Sequence, residues 1–91
     1  MVAKNYTGIV PKQAQKDFKK IKAAGLATKV RQLYDILCED PFRDHPNYEV
    51  LKGDLKGFYS RRINIRHRLV YSVDKKSHTV RILRMWTHYE Q

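Results

Sequence analysis

Apolar residues recur through the first half of the chain at spacings of three and four, the repeat of one helix face. Ala14, Phe18 and Ile21 form such a stripe after Pro11, whose missing N–H costs nothing in a first helical turn. Lys12, Lys16, Lys19, Lys20 and Lys22 fill the other faces, and Gly25 marks the stop because glycine accepts left-handed backbone angles. A second stripe, Val30, Leu33, Tyr34 and Leu37, predicts a helix over residues 27–39, with Leu26 just ahead of it and Pro41 ending it. Two helices joined by so short a turn pack as an antiparallel hairpin.

The period then changes. Residues 4–10, with Tyr6, Thr7, Ile9 and Val10, predict a first strand or an extended lead-in. Residues 40–47 hold two prolines and no period, and read as a loop. Residues 48–57 fit neither period, and their echo of Leu51-Lys52-Gly53 in Leu55-Lys56-Gly57 is too short for a structural repeat. Beyond Gly57 the β signal predicts three strands, 58–64, 68–73 and 79–86, arranged as a meander. Short connections fall at 64–67 and at the polar stretch 74–77. Alternation puts Leu69, Tyr71 and Val73 on one face and Arg68, Val70 and Ser72 on the other, with Arg62 and Arg68 sharing the open face. Arg61 should point the opposite way. The expectation is a single α+β domain over residues 1–91, a sheet with two helices on one face and a cationic open face.

Charge sharpens this picture. Nineteen Lys and Arg against nine Asp and Glu give a net charge of +10 on 91 residues, which speaks of partners rather than fold. Nucleic acid, an anionic membrane surface or an acidic protein would each compensate it. No apolar run approaches the roughly 20 residues that span a bilayer, and the first ten residues lack a secretory signal pattern, so no membrane role and a cytoplasmic location are expected. The single cysteine, Cys38, excludes an intramolecular disulfide framework and reads as a buried thiol on the second helix. His45, His67 and His78 show no ligand spacing with one another or with Cys38, so neither a metal nor a cofactor is expected.

The run from Leu51 to Ile63, containing Ser60-Arg61-Arg62-Ile63, and the run His67-Arg68-Leu69-Val70-Tyr71 closely resemble the YoeB (Txe) branch of the RelE-like toxins of type II toxin–antitoxin systems. Asp40-Pro41-Phe42 and the late His88-Tyr89 complete the pattern, although Glu90 and Gln91 follow here where His-Tyr tends to end the chain. The resemblance implies a RelE-like, microbial-ribonuclease-like fold: a curved antiparallel sheet with two N-terminal helices packed on one face and the active site on the other. It implies a ribosome-dependent endoribonuclease that cuts mRNA in the ribosomal A site and is silenced by a cognate, YefM-like antitoxin. It also carries functional positions onto Glu49, Lys52, Arg62, Arg68, His88 and Tyr89.

Residue chemistry suits that reading. RNA can be cut when its own 2′-hydroxyl attacks the adjacent phosphorus, given a base, cations on the phosphoryl oxygens and an acid for the leaving 5′-oxygen. Glu49 is the candidate base. Arg68 is the candidate clamp, because guanidinium grips phosphate oxygens through paired hydrogen bonds. Arg62 and Lys52 would position the RNA, His88 would be the acid, and Tyr89 would stack on a base or orient a phosphate. Two other readings stay open at this point: a non-catalytic nucleic-acid-binding module using Tyr59, Tyr71 and Tyr89 as stacking surfaces, and a subunit that binds an acidic protein. A homodimer is compatible with either.

Overall fold

Both helices form where the apolar stripes predict them. The computed structural model describes residues 5–86. Helix α1 covers Lys12–Ala23, with Pro11 as its N-cap residue, and buries Ala14, Asp17 and Ile21. Its end is a two-bond clasp around Gly25 (φ 76°): the Gly25 N–H donates to Lys22 O and the Leu26 N–H to Ile21 O, each at 3.0 Å. Helix α2, Ala27–Glu39, buries Val30, Leu33, Leu37 and Cys38. The chain leaves it at Asp40, whose Oδ1 accepts the Phe42 N–H at 3.0 Å and starts the following loop.

Five strands follow the order β1-β5-β4-β3-β2, where β1 is Thr7–Ile9, β2 Tyr48–Val50, β3 Tyr59–Arg62, β4 Arg68–Asp74 and β5 Thr79–Arg84. Strands β3 to β5 pair antiparallel, as the meander predicts, and β2 adds to β3 in the same sense. Strand β1 instead joins the edge of β5 in parallel, so the sheet is mixed rather than wholly antiparallel. The helical hairpin intervenes between β1 and the rest of the sheet, and a tight turn is therefore not what fixes β1's direction. The unassigned stretch 48–57 resolves into β2 and a 3₁₀ turn at Gly53–Leu55. Three residues make too short a strand for period-2 alternation to register.

The core lies between the helices and one sheet face. Leu69, Tyr71, Val80 and Ile82 from the strands meet Ala14, Ile21, Val30, Leu33 and Leu37 from the helices. Gly8 allows β1 to lie against α2, because a β-carbon there would sit 1.9 Å from the Tyr34 hydroxyl oxygen. The pairing of Tyr71 with Ile82 and of Val70 with Arg84 leaves Leu83 as an extra residue, a bulge that bends β5. Past that bend, the fully buried Asp17 of α1 takes Arg84 Nε at 2.7 Å, and also the backbone N–H groups of Met85 at 3.0 Å and Trp86 at 3.3 Å. One carboxylate thus ties the end of β5 to the first helix.

The helices do not cover the β2–β3 end of this face; the loop 40–47 does. Phe42 packs edge-on against Tyr48 and Tyr59, and Tyr59 stacks on Tyr71. Into this cover runs Arg61, fully buried. Its guanidinium donates to the carbonyls of Pro41 (3.1 Å), Arg43 (2.8 Å) and Pro46, and to the Tyr71 hydroxyl (3.2 Å). The Tyr71 hydroxyl donates in turn to Pro41 O at 3.0 Å. Burial pushes the Tyr71 phenol up to about 12, against the opposing charge and hydrogen bond of Arg61.

Candidate active site

Register decides what shares the open face. Glu49 of β2 pairs with Ser60 of β3, and Ser60 with Val70 of β4; one step along, Arg62 pairs with Arg68. Residues two apart on a strand face the same way, so Glu49, Ser60, Arg62, Arg68 and Val70 lie on one side, opposite the helices. The alternation that predicts a shared face for Arg62 and Arg68 is confirmed by this pairing. Arg61 points into the helix-side layer, as expected, and closes it. Val70 departs from the expectation of an open cationic face: it is fully buried although it lies on that side.

The turn between β3 and β4 closes one end of the site. Asn64 Oδ1 accepts the backbone N–H groups of Arg66 (2.9 Å) and His67 (2.8 Å), which fixes a tight reversal without glycine or proline. His67 then stacks on Trp86 with ring centres 3.9 Å apart.

Glu49, Arg62 and Arg68 line one cleft of about 570 Å³, together with Ser60, Asn64 and Ile65, Pro46 and Asn47 from the loop, and Lys29 from the first turn of α2. Within it Arg68 Nη1 lies 3.2 Å from Glu49 Oε1. The carboxylate is half exposed and the guanidinium mostly covered. A carboxylate held against an arginine in an otherwise cationic cleft can accept a proton while the cations bind an oxyanion. A separate apolar groove of about 560 Å³ runs between the helices, lined by Phe18, Val30, Tyr34 and Met85 among others and rimmed by Lys19, Lys22 and Arg31. Of the candidate site residues that are described, Glu49, Lys52, Arg62 and Arg68, none lines it.

Of the six candidate site residues, the structure gathers three. Lys52 is exposed at the start of the 3₁₀ turn and is not among the cleft's lining residues. His88 and Tyr89 lie outside the described residues. Sequence reasoning overlooked Lys29 and Ser60. Lys29 sits on the polar side of a helical pattern, where nothing separates it from the other solvated lysines. Ser60 was visible only as a letter of the Ser-Arg-Arg-Ile motif.

Comparison with known proteins converges on one family. Residues 11–89 match the family described as the YoeB-like toxin of bacterial type II toxin–antitoxin systems. The chain is 46% identical over 43 residues to a toxin YoeB of Streptomyces coelicolor, covering 47% of this chain and 51% of that one. It is 40% identical over 52 residues to the Escherichia coli K12 toxin YoeB, covering 57% and 62%. The aligned stretch thus spans only a little over half the length of these curated relatives. Whole-chain likeness appears among solved structures. A YoeB/ParE toxin from Agrobacterium tumefaciens superimposes with a TM-score of 0.82 at 27% identity, over 91% of this chain and 99% of that one. The toxin of a YoeB–YefM complex from Staphylococcus aureus does so with a TM-score of 0.76 at 31% identity, over 92% and 98%. With its two-helix, five-strand RelE-like fold and this match over most of its length, the chain belongs to the YoeB-like toxins of bacterial type II toxin–antitoxin systems.

Proposed function

We propose that this toxin is a ribosome-dependent endoribonuclease that cuts mRNA in the ribosomal A site and thereby stops translation. The observation that carries the reading is the Glu49–Arg68 contact at 3.2 Å in a cleft that also presents Arg62. In the proposed reaction Glu49 takes the proton of the ribose 2′-hydroxyl as that oxygen bonds to phosphorus. Arg68 and Arg62 hold the phosphoryl oxygens as charge builds on them. The bond from phosphorus to the 5′-oxygen breaks, and that oxygen takes its proton from His88. Lys52 draws the RNA strand in, and Tyr89 stacks on a base or orients a phosphate. His88 and Tyr89 are assigned by their place in the family motif. As written, the reaction draws on side chains alone.

Residues 1–91 act in this reading as one toxin domain, working in the cytoplasm where ribosomes are. Its net charge of +10 suits both ribosomal RNA and an acidic antitoxin. Solved relatives include a toxin held by YefM and a YoeB dimer, both from Staphylococcus aureus, which supports a YefM-like antitoxin as partner here and a homodimer as the free form.

The test adds purified protein to ribosomes stalled with an empty A site on a defined mRNA and maps RNA ends by primer extension. New ends within the A-site codon are expected from the wild type, and none from Arg68→Ala, Glu49→Gln or naked mRNA. Intact mRNA at saturating protein would favour the non-catalytic binding module.

A further inference from the structure

Among the described residues, the Ser60 hydroxyl is buried and has no hydrogen-bond partner, and Ser60 is only 1% exposed. A hydroxyl buried without a partner is costly, and native proteins rarely keep one without a use for it. Its position suggests the use. Ser60 lies on the central strand of three, paired on one side with Glu49 and on the other with Val70, and it lines the cleft. Neighbouring strands stand about 4.8 Å apart, so β2 and β4 are roughly 10 Å from each other across β3. For Glu49 of β2 and Arg68 of β4 to meet at 3.2 Å, both side chains must reach over β3. Their contact therefore bridges the strand that carries Ser60.

This bridge cannot survive the reaction unchanged. Arg68 cannot give its full donor set to a phosphate while one of its nitrogens is held by Glu49. A phosphate that draws Arg68 away leaves the carboxylate without its cation at the moment it must be aimed at the 2′-hydroxyl. Directly opposite Glu49, at the cross-strand distance of about 5 Å between β-carbons, waits an unused hydroxyl donor.

We infer that Ser60 is a positioning residue, whose hydroxyl donates to the Glu49 carboxylate once the RNA phosphate has taken Arg68. The Glu49–Arg68 pair is then the resting arrangement and the Glu49–Ser60 pair the working one. The inference rests on the nuclease reading, with Glu49 as the base. It gives the orphaned hydroxyl a partner that appears only with substrate bound.

The experiment compares wild type, Ser60→Ala and Ser60→Thr in single-turnover cleavage on programmed ribosomes, with thermal unfolding measured alongside. Ser60→Ala should cut roughly 10- to 100-fold more slowly at saturation, the loss expected for one hydrogen bond to a charged group. Its half-saturating concentration should stay within about two-fold of wild type, and its melting temperature should be equal or higher, because a buried unpaired hydroxyl has been removed. Ser60→Thr, which keeps the donor on a strand-compatible side chain, should recover at least part of the rate. Ser60→Ala cutting at the wild-type rate overturns the role of Ser60 alone, as does a rate loss matched by a lower melting temperature. Failure of the wild type to cut removes the nuclease reading, and the role of Ser60 with it.

Discussion

Replacing Arg61 with methionine should cost this protein a large part of its stability without removing a side chain that lines the cleft. The guanidinium sits in the helix-side layer and joins the carbonyls of Pro41, Arg43 and Pro46 to the Tyr71 hydroxyl. Methionine fills much of the volume but donates nothing. Pro41 O keeps its bond from Tyr71, so the change strands two carbonyls, those of Arg43 and Pro46. Both bonds are part-buried, so each stranded acceptor costs toward the low end of about 1–3 kcal/mol, partly offset because a charge need no longer be desolvated. A net loss of about 2–4 kcal/mol follows. A domain of this size has about 5–14 kcal/mol in all, and each 1 kcal/mol moves the melting temperature by about 4–8 °C. Calorimetry should therefore find Arg61→Met melting about 8–32 °C lower. Arg61→Lys should fall between the two, since a lysine has three donors on a single nitrogen and cannot span the loop as a planar fork does. Arg62→Met, next in sequence but exposed on the other face, serves as control and should stay within about 0.5 kcal/mol of wild type. An Arg61→Met variant as stable as that control would refute the view that this arginine pins loop 40–47 to the sheet.

Two further changes test other joints of the fold. Burial pushes the Asp17 carboxyl up, but the hydrogen bonds from Arg84, Met85 and Trp86 and the Arg84 charge outweigh it and hold the group below its ordinary value of 3.8. A depressed native pKa means that its stabilisation is fully present above the unfolded value and disappears as pH falls through the lower native one. Asp17→Asn should lose on the order of 2–4 kcal/mol near neutral pH and show a flatter decline of stability below pH 4 in acid titrations followed by circular dichroism; an unchanged acid limb would contradict this. Gly8→Ala should cost about 1–3 kcal/mol because its β-carbon would collide with the Tyr34 ring, and the cost should shrink in a Tyr34→Ala background when a double-mutant cycle is measured by urea unfolding. Additive effects would place the strain elsewhere.

Much of this architecture was legible in the residues, and the exceptions have physical reasons. The helices announced themselves because Ala14, Ile21, Val30, Leu33 and Leu37 repeat at helix spacing and all became core. The turns did so through Gly25 and Pro41, and through the short break between strands at 64–67. Asp17 stayed hidden: a carboxylate on a helix face reads as solvated until the partner 67 residues away is known. Strand β1 joined its neighbour in parallel because pairing partners are set by the whole packing and not by local pattern. Arg61 and Arg62 look alike in sequence, and only their parity on β3 separates a buried clasp from a cleft residue. For the candidate site, three residues of the motif, Glu49, Arg62 and Arg68, line one cleft. Lys29 escaped because its place in the cleft depends on where α2 docks.

The most direct test of the central claim is a substitution in the RNA. Ribosomes would be programmed with two otherwise identical mRNAs, one carrying a single 2′-deoxynucleotide just before the phosphate that the wild-type protein cuts. If the 2′-hydroxyl is the nucleophile and Glu49 takes its proton, the unmodified message yields a 5′-hydroxyl fragment and a 2′,3′-cyclic phosphate end, and the deoxy message stays whole at that bond. Cutting of the deoxy message at the same bond would contradict the proposed chemistry outright.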